Sequence, residues 1–247
     1  MKVAIITGGS RGIGKSTALN VAKRGTGVIL TYNSHAEEAN AVVAEIKKAG
    51  GTAVALQLDV SKSSTFSAFA ATVEQTLQKE WKQKTFDYLV NNAGIAQRTL
   101  IKDLSEEQFD ELVDVHLKGP VFLTQKLIPL MNDGGHVVNI SSGLTRFTYP
   151  GTSIYGAVKG AMEVFTMYLA REFADRKIRS NIVAPGALDT DFGGGRTDEA
   201  RKHLAAATAL GRVGQAEDIG VLIASLLSDD FRWVDGQRIE ATGGMHL

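Results

Sequence analysis

The sequence predicts an α/β fold, a doubly wound parallel sheet of about seven strands with helices on both faces. Three observations carry this expectation. Short β-branched runs alternate with longer amphipathic stretches along the chain. A glycine-rich turn joins the first run to the first amphipathic stretch. No repeat, low-complexity tract or linker interrupts the alternation, and 26 glycines against 4 prolines in 247 residues favour tight turns between regular elements. Residues 1–247 therefore read as one domain.

The elements follow in order. Lys2–Thr7, with four consecutive apolar residues at its centre, has the pattern of a strand buried on both faces. Ile13–Arg24 has helical periodicity, and Val28–Tyr32 is the second strand. His35–Ala49 is a helix stopped by Gly50-Gly51. Thr52–Leu58 is the third strand, followed by a helix from about Lys62 to Lys79. The charged segment Gln78–Thr85 reads as a solvated loop or a contact surface. Phe86–Asn91 is the fourth strand. Ser105 and Gln108 have capping-box spacing at the start of a long helix. His136–Ile140 is the fifth strand, Ser153–Asp175 a long helix and Ile178–Val183 the sixth strand. A helix follows Ala216-Glu217-Asp218, and Arg238–Ala241 closes the sheet. Ligands of such sheets bind beyond the carboxyl ends of the strands.

Composition narrows the functional classes. The formal net charge is zero, so no global field draws the chain to nucleic acid or to an anionic membrane. With no cysteine there are no disulfides or thiolate metal sites, and no metal is expected. The longest apolar stretch, Ile219–Leu227, is far below the ~18 residues of a membrane span. The four apolar residues between Lys2 and Thr7 are too few for a signal-peptide core, so a cytoplasmic location is expected.

The chemistry is concentrated at strand ends. Thr7-Gly-Gly-Ser-Arg-Gly-Ile-Gly14 follows the first strand and opens a helix. Gly8 permits the turn, Gly12 has no side chain to block a pyrophosphate, and Gly14 lets the helix lie close on the sheet. The helix N-terminus offers free N–H groups to phosphate. Strand two ends Thr31-Tyr-Asn-Ser34 without the carboxylate that would hold a ribose 2′-hydroxyl. Further on, Leu58-Asp59-Val60 and Asn91-Asn92-Ala93-Gly94 follow strands three and four. Tyr155 and Lys159 are four residues apart, on one helix face. A neighbouring ammonium, together with the positive ring of an oxidised nicotinamide, would favour phenolate and lower the pKa of Tyr155 from its usual ~10. Ser142, with Ser141 as the competing choice, ends strand five thirteen residues before Tyr155.

As an ordered set, these motifs resemble the short-chain dehydrogenase/reductase family, whose glycine signature is Thr-Gly-x-x-x-Gly-x-Gly; its members include carbonyl reductases and 3-ketoacyl-acyl-carrier-protein reductases. The resemblance runs from Val3 to the C-terminus. It implies a Rossmann-like fold and hydride transfer between a nicotinamide dinucleotide and a ketone or alcohol. The implied catalytic residues are Ser142, Tyr155 and Lys159. The implied cofactor contacts are Gly8, Ser10, Arg11, Gly12, Ile13 and Gly14, then Asn33, Ser34, Asp59 and Val60. Asn92, Ala93 and Gly94, then Pro185, Gly186, Leu188 and Thr190 complete them, with Tyr155 and Lys159 on the nicotinamide ribose. Arg11, with Asn33 and Ser34, favours NADP(H) over NAD(H); the alternative is a solvated Arg11 and weak selectivity.

The family's fourth catalytic residue is an asparagine, but Asp114-Val-His116 puts a histidine there. Its imidazole either joins a proton relay, in which case His116→Asn shifts the pH profile, or only packs. The segment 188–210, with Gly193-Gly194-Gly195 and a short helix, is the expected substrate lid. Leu144, Phe147, Tyr149 and Phe192 are the expected apolar wall for a small ketone. The stretch Leu127–Asp133 lacks the basic cluster suited to an acyl carrier, although Arg171 and Arg176 lie nearby. Acyl-carrier-protein reduction is therefore the second reading, and a dinucleotide-binding regulator without turnover the third. The resemblance also implies a homotetramer.

Overall fold

A computed structural model describes residues 1–246. Strand β1, Val3–Ile6, alternates its side chains between two cores. Ala4 and Ile6 face one; Val3 and Ile5 face the other. The remaining strands are β2 (Gly27–Tyr32), β3 (Ala53–Gln57), β4 (Phe86–Asn91), β5 (Met131–Ile140), β6 (Arg179–Pro185) and β7 (Arg238–Ala241). All pair in parallel in the order β3-β2-β1-β4-β5-β6-β7, the seven-stranded doubly wound sheet that the alternation predicts. The chain reverses its direction of winding between β1 and β4, so the loops after these strands flank a crevice.

Helices α1 (Gly12–Lys23), α2 (Ala36–Lys48) and, late in the chain, Ala216–Leu226 cover one face. Ala18, Val21, Val42, Ile46, Ile219 and Ile223 fill that core. The other face carries α3 (Phe66–Trp81), α4 (Glu106–Val113), α5 (Gly119–Leu127) and α6 (Ser153–Glu172), with Phe66, Val73, Leu77, Leu123, Leu127 and Leu169 inside. A short α7 (Asp198–Ala206) lies in the expected lid, and Ala216–Leu226 is α8. The capping box at Ser105 and Gln108 is formed.

Three local readings are corrected. The expected loop from Gln78 is helical as far as Trp81, because the Phe69-Val73-Leu77 spacing continues to a tryptophan that packs over Gly27. Strand β5 starts at Met131, five residues early, and its register with β4 slips so that Asn132–Gly135 bulge out. The long helix expected after Ser105 is interrupted by a π-turn, Asp114–Lys118, in which the Gly119 N–H donates to the Asp114 carbonyl.

Candidate active site

The loop after β1 is held from behind. The Asn92 side-chain amide donates to the carbonyls of Thr7 (2.8 Å) and Gly8 (3.1 Å), and the Thr7 hydroxyl accepts from the N–H groups of Asn92 and Ala93. The side chain of Asn92 thus shapes the glycine loop. Gly12 adopts φ +55°, and a Cβ built there meets nothing within 4 Å. At Gly14 a Cβ would lie 2.1 Å from the Gly8 carbonyl oxygen, so only glycine lets α1 start this close to the loop. No side chain caps α1, and the N–H groups of Gly12, Ile13 and Gly14 have no acceptor among the described residues. Open space in front of free helix N–H groups fits a pyrophosphate. Arg11, at the N-cap, and Asn33 and Ser34, beyond β2, are exposed, and this donor set without a carboxylate fits a 2′-phosphate. Asp59 spends its carboxylate locally on Ser61 and Lys62, while Val60 receives Gly119, the first residue of α5, in close contact.

The ends of β4 and β5 sit side by side, with Asn91 opposite Asn139. A buried polar ladder crosses there. Asn91 donates to Asn139 and to Thr124 of α5, and Asn139 donates to Thr166 of α6. The ladder fixes α6 across the strand ends, and with it Tyr155 and Lys159. Sequence reading missed it, since only strand register brings the two asparagines together.

Lys159 is buried, and its Nζ donates to the Ile140 carbonyl at 2.8 Å. With no carboxylate to offset burial, its pKa falls to about 7. Its Nζ lies 5.6 Å from the centre of the Tyr155 ring. Burial also pushes the Tyr155 phenol up to about 12, against an opposing hydrogen bond from Ser142. The expected lowering includes the charge of an oxidised nicotinamide; among the chain's own groups, desolvation of the phenolate dominates.

Ser142 accepts the Leu144 N–H at 3.2 Å, leaving its own proton available. Ser141 is buried, and its hydroxyl donates instead to Glu163 of α6 at 2.5 Å. His116 in the π-turn is also buried, packed edge-on against Tyr155 with ring centroids 5.1 Å apart. Its Nε2 lies 2.8 Å from the Ile95 carbonyl and 3.2 Å from the Ile95 N–H. Burial, and then the charge of Lys159, depress its pKa to about 3. The imidazole is therefore neutral at physiological pH, which favours the packing reading over a titrating relay.

The expected four-residue apolar wall is divided. Phe192 lies 6.5 Å from Tyr155, and Leu144 backs onto Gly156. Phe147 packs against Gly143 and the His246 ring, and Tyr149 lies exposed under the Arg98 guanidinium at 4.3 Å. Pro185 ends β6 beside Ala241, and Gly186 closes on Thr242. Leu188 bridges to Gly214, while Thr190 accepts the Phe192 N–H. A cavity of about 170 Å³ lies here, lined by Leu188, Thr208, Leu210 and Thr242. Among the described residues there is no cluster of metal-ligating side chains and no helix long and apolar enough to cross a membrane.

Comparison with known proteins agrees with this geometry. A family model described as enoyl-(acyl carrier protein) reductase matches residues 8–246. A 3-oxoacyl-[acyl-carrier-protein] reductase of Staphylococcus aureus is 36% identical, over 100% of this chain and 98% of its own length. A promiscuous reductase that catalyses keto-reduction at C1 during lugdunomycin biosynthesis superposes with a TM-score of 0.95 at 37% identity, covering 100% of this chain and 98% of that one. An angucycline C-6 ketoreductase solved with bound NADP gives a TM-score of 0.94 at 34% identity, covering 98% and 95%. With its parallel sheet, glycine loop and ordered strand-end motifs, the chain belongs to the short-chain dehydrogenase/reductase family of oxidoreductases.

Proposed function

We propose that this protein is an NADP(H)-dependent ketoreductase that interconverts a ketone and a secondary alcohol. The observation that carries the reading is the convergence of Ser142, Tyr155 and Lys159 in one desolvated cleft at the end of β5. Gly12, Ile13 and Gly14 would hold the pyrophosphate of NADP(H), and Arg11 with Asn33 and Ser34 its 2′-phosphate. Bound NADPH supplies the hydride. The Ser142 hydroxyl donates to the substrate oxygen and so stabilises the charge that develops there. Tyr155 gives that oxygen its proton. A phenol held at about 12 is fully protonated at neutral pH, which suits the reducing direction. Lys159, with a pKa of about 7, can lose and regain a proton under the same conditions and restore the phenol. His116 braces the Tyr155 ring.

Phe192 and Leu144 favour a ketone with hydrophobic substituents. An acyl-carrier substrate is favoured by the S. aureus relative but opposed by Arg176, which is tied to Asp133 and to the carbonyls of Ile128 and Met131. The exposed Val164, Met167 and Tyr168 on α6 support self-association into the expected tetramer. The test is NADPH oxidation against a panel of free and carrier-linked ketones. Tyr155→Phe should lower kcat by about 10²–10⁴-fold. Full turnover by this variant, or NADPH binding without oxidation across the panel, would overturn the proposal, the second outcome favouring a regulator.

A further inference from the structure

The loop carrying Ser142 is clamped by a set of side chains centred on Glu163. One carboxylate oxygen of Glu163, on α6 two turns beyond Tyr155, accepts three hydrogen bonds: from Ser141 (2.5 Å), Thr145 (2.8 Å) and the Arg238 Nε (2.7 Å). Arg238 stands on the edge strand β7, and its Nη2 reaches the Ser142 carbonyl at 3.3 Å and the Thr145 hydroxyl at 3.0 Å. Its Nη1 pairs with Glu240, which also pairs with Arg146 at 3.2 Å. Both Glu163 and Arg238 are mostly shielded from solvent, with side chains 22% and 19% exposed, so the pair is screened less than a surface ion pair. Residues on both sides of Ser142 are thereby tied to the helix that bears Tyr155 and Lys159. Within this clamp Ser142 itself contributes only its carbonyl, and its hydroxyl takes no part.

We infer that Glu163 and Arg238 are positioning residues that set the distance between the Ser142 hydroxyl and the Tyr155 phenol. The inference rests on the ketoreductase reading above. Glu163 and Arg238 touch neither substrate nor cofactor; they act through Ser142. A planar guanidinium is needed at 238, because a lysine cannot serve Glu163, Thr145 and the Ser142 carbonyl together. Glutamine at 163 keeps an acceptor for the two hydroxyls but loses the ion pair. Small misplacements of a reacting group cost up to about a hundredfold in rate.

The test is a double-mutant cycle on the full-length protein, using NADPH and an activated ketone, with kcat, KM, NADPH Kd by fluorescence and the thermal midpoint read for every variant. Glu163→Gln should lower kcat about tenfold or more, with the NADPH Kd within about twofold of native. In a Ser142→Ala background, the same substitution should have no further effect on kcat. Arg238→Lys, on the edge strand, should reproduce both results and serves if Glu163→Gln fails to fold. Native kcat in both folded variants overturns the inference. So does an equal loss with and without Ser142, which would mark a merely structural pair. Native turnover by Ser142→Ala alone would instead overturn the ketoreductase reading on which the inference rests.

Discussion

Adding one methyl group at Gly14 and, separately, at Gly12 distinguishes scaffold from ligand site within a single loop. In Gly14→Ala the new Cβ lies 2.1 Å from the Gly8 carbonyl oxygen and 2.5 Å from the Asn92 Nδ2, well inside contact distance. The loop must retreat by roughly 1 Å or more. That breaks the two bonds from Asn92 to Thr7 and Gly8, worth about 1 kcal/mol each. Overpacking strain of about 1–2 kcal/mol adds to this. The expected loss is about 3–4 kcal/mol, or roughly 6–16 °C in thermal midpoint for a chain of this size. NADPH affinity should fall with it. In Gly12→Ala the methyl group meets nothing within 4 Å, and the cost is that of alanine at φ +55°, about 1–2 kcal/mol. Yet the methyl group then occupies the space in front of the free N–H groups. Losing one charge-assisted hydrogen bond there, about 1.5–3 kcal/mol, raises the NADPH Kd about 10- to 100-fold. Fluorescence titration with NADPH and a thermal melt of each variant make the comparison. A native Kd in Gly12→Ala would refute the placement of the dinucleotide.

Three further outcomes are expected. Arg11→Ala should raise the Kd for NADPH about tenfold more than that for NADH, with the difference shrinking in high salt; an unchanged ratio would remove Arg11 from selectivity. His116→Asn should leave the pH dependence of kcat unchanged between about pH 5.5 and pH 9, because an imidazole held near 3 does not titrate there; a moved acid limb would restore the relay reading. Stability should fall on acidification. Burial holds both His116 and His136 at about 3, against ~6.5 unfolded. Between those values the unfolded chain binds more protons, so the contribution is fully present above pH ~6.5 and is lost toward pH ~3, at up to about 1.4 kcal/mol per pH unit for each histidine. Urea midpoints across this range measure the slope, and His136→Asn should reduce it.

Much of the molecule was legible because its signals are local. A buried parallel strand needs only its own apolar run, as in Val3–Ile6, and a helix only its own period, as in α6. The glycine loop, the Tyr155–Lys159 spacing and the place of Ser142 at a strand end are likewise properties of neighbours in the chain, so sequence alone determined the sheet, its order of elements and the crevice where the chemistry lies. Packing across the sheet decided the rest. The pKa of Tyr155 moves up because distant segments desolvate it, and His116 is neutral because burial and the charge of Lys159 hold it so. Phe147 turns toward His246 and Tyr149 toward Arg98, contacts that no periodicity encodes. Glu163 and Arg238 are 75 residues apart and meet only because β7 closes the edge of the sheet beside α6. Hydrogen-bonded periodicity is written in consecutive residues, whereas dielectric surroundings and charge partners exist only once remote segments have packed together.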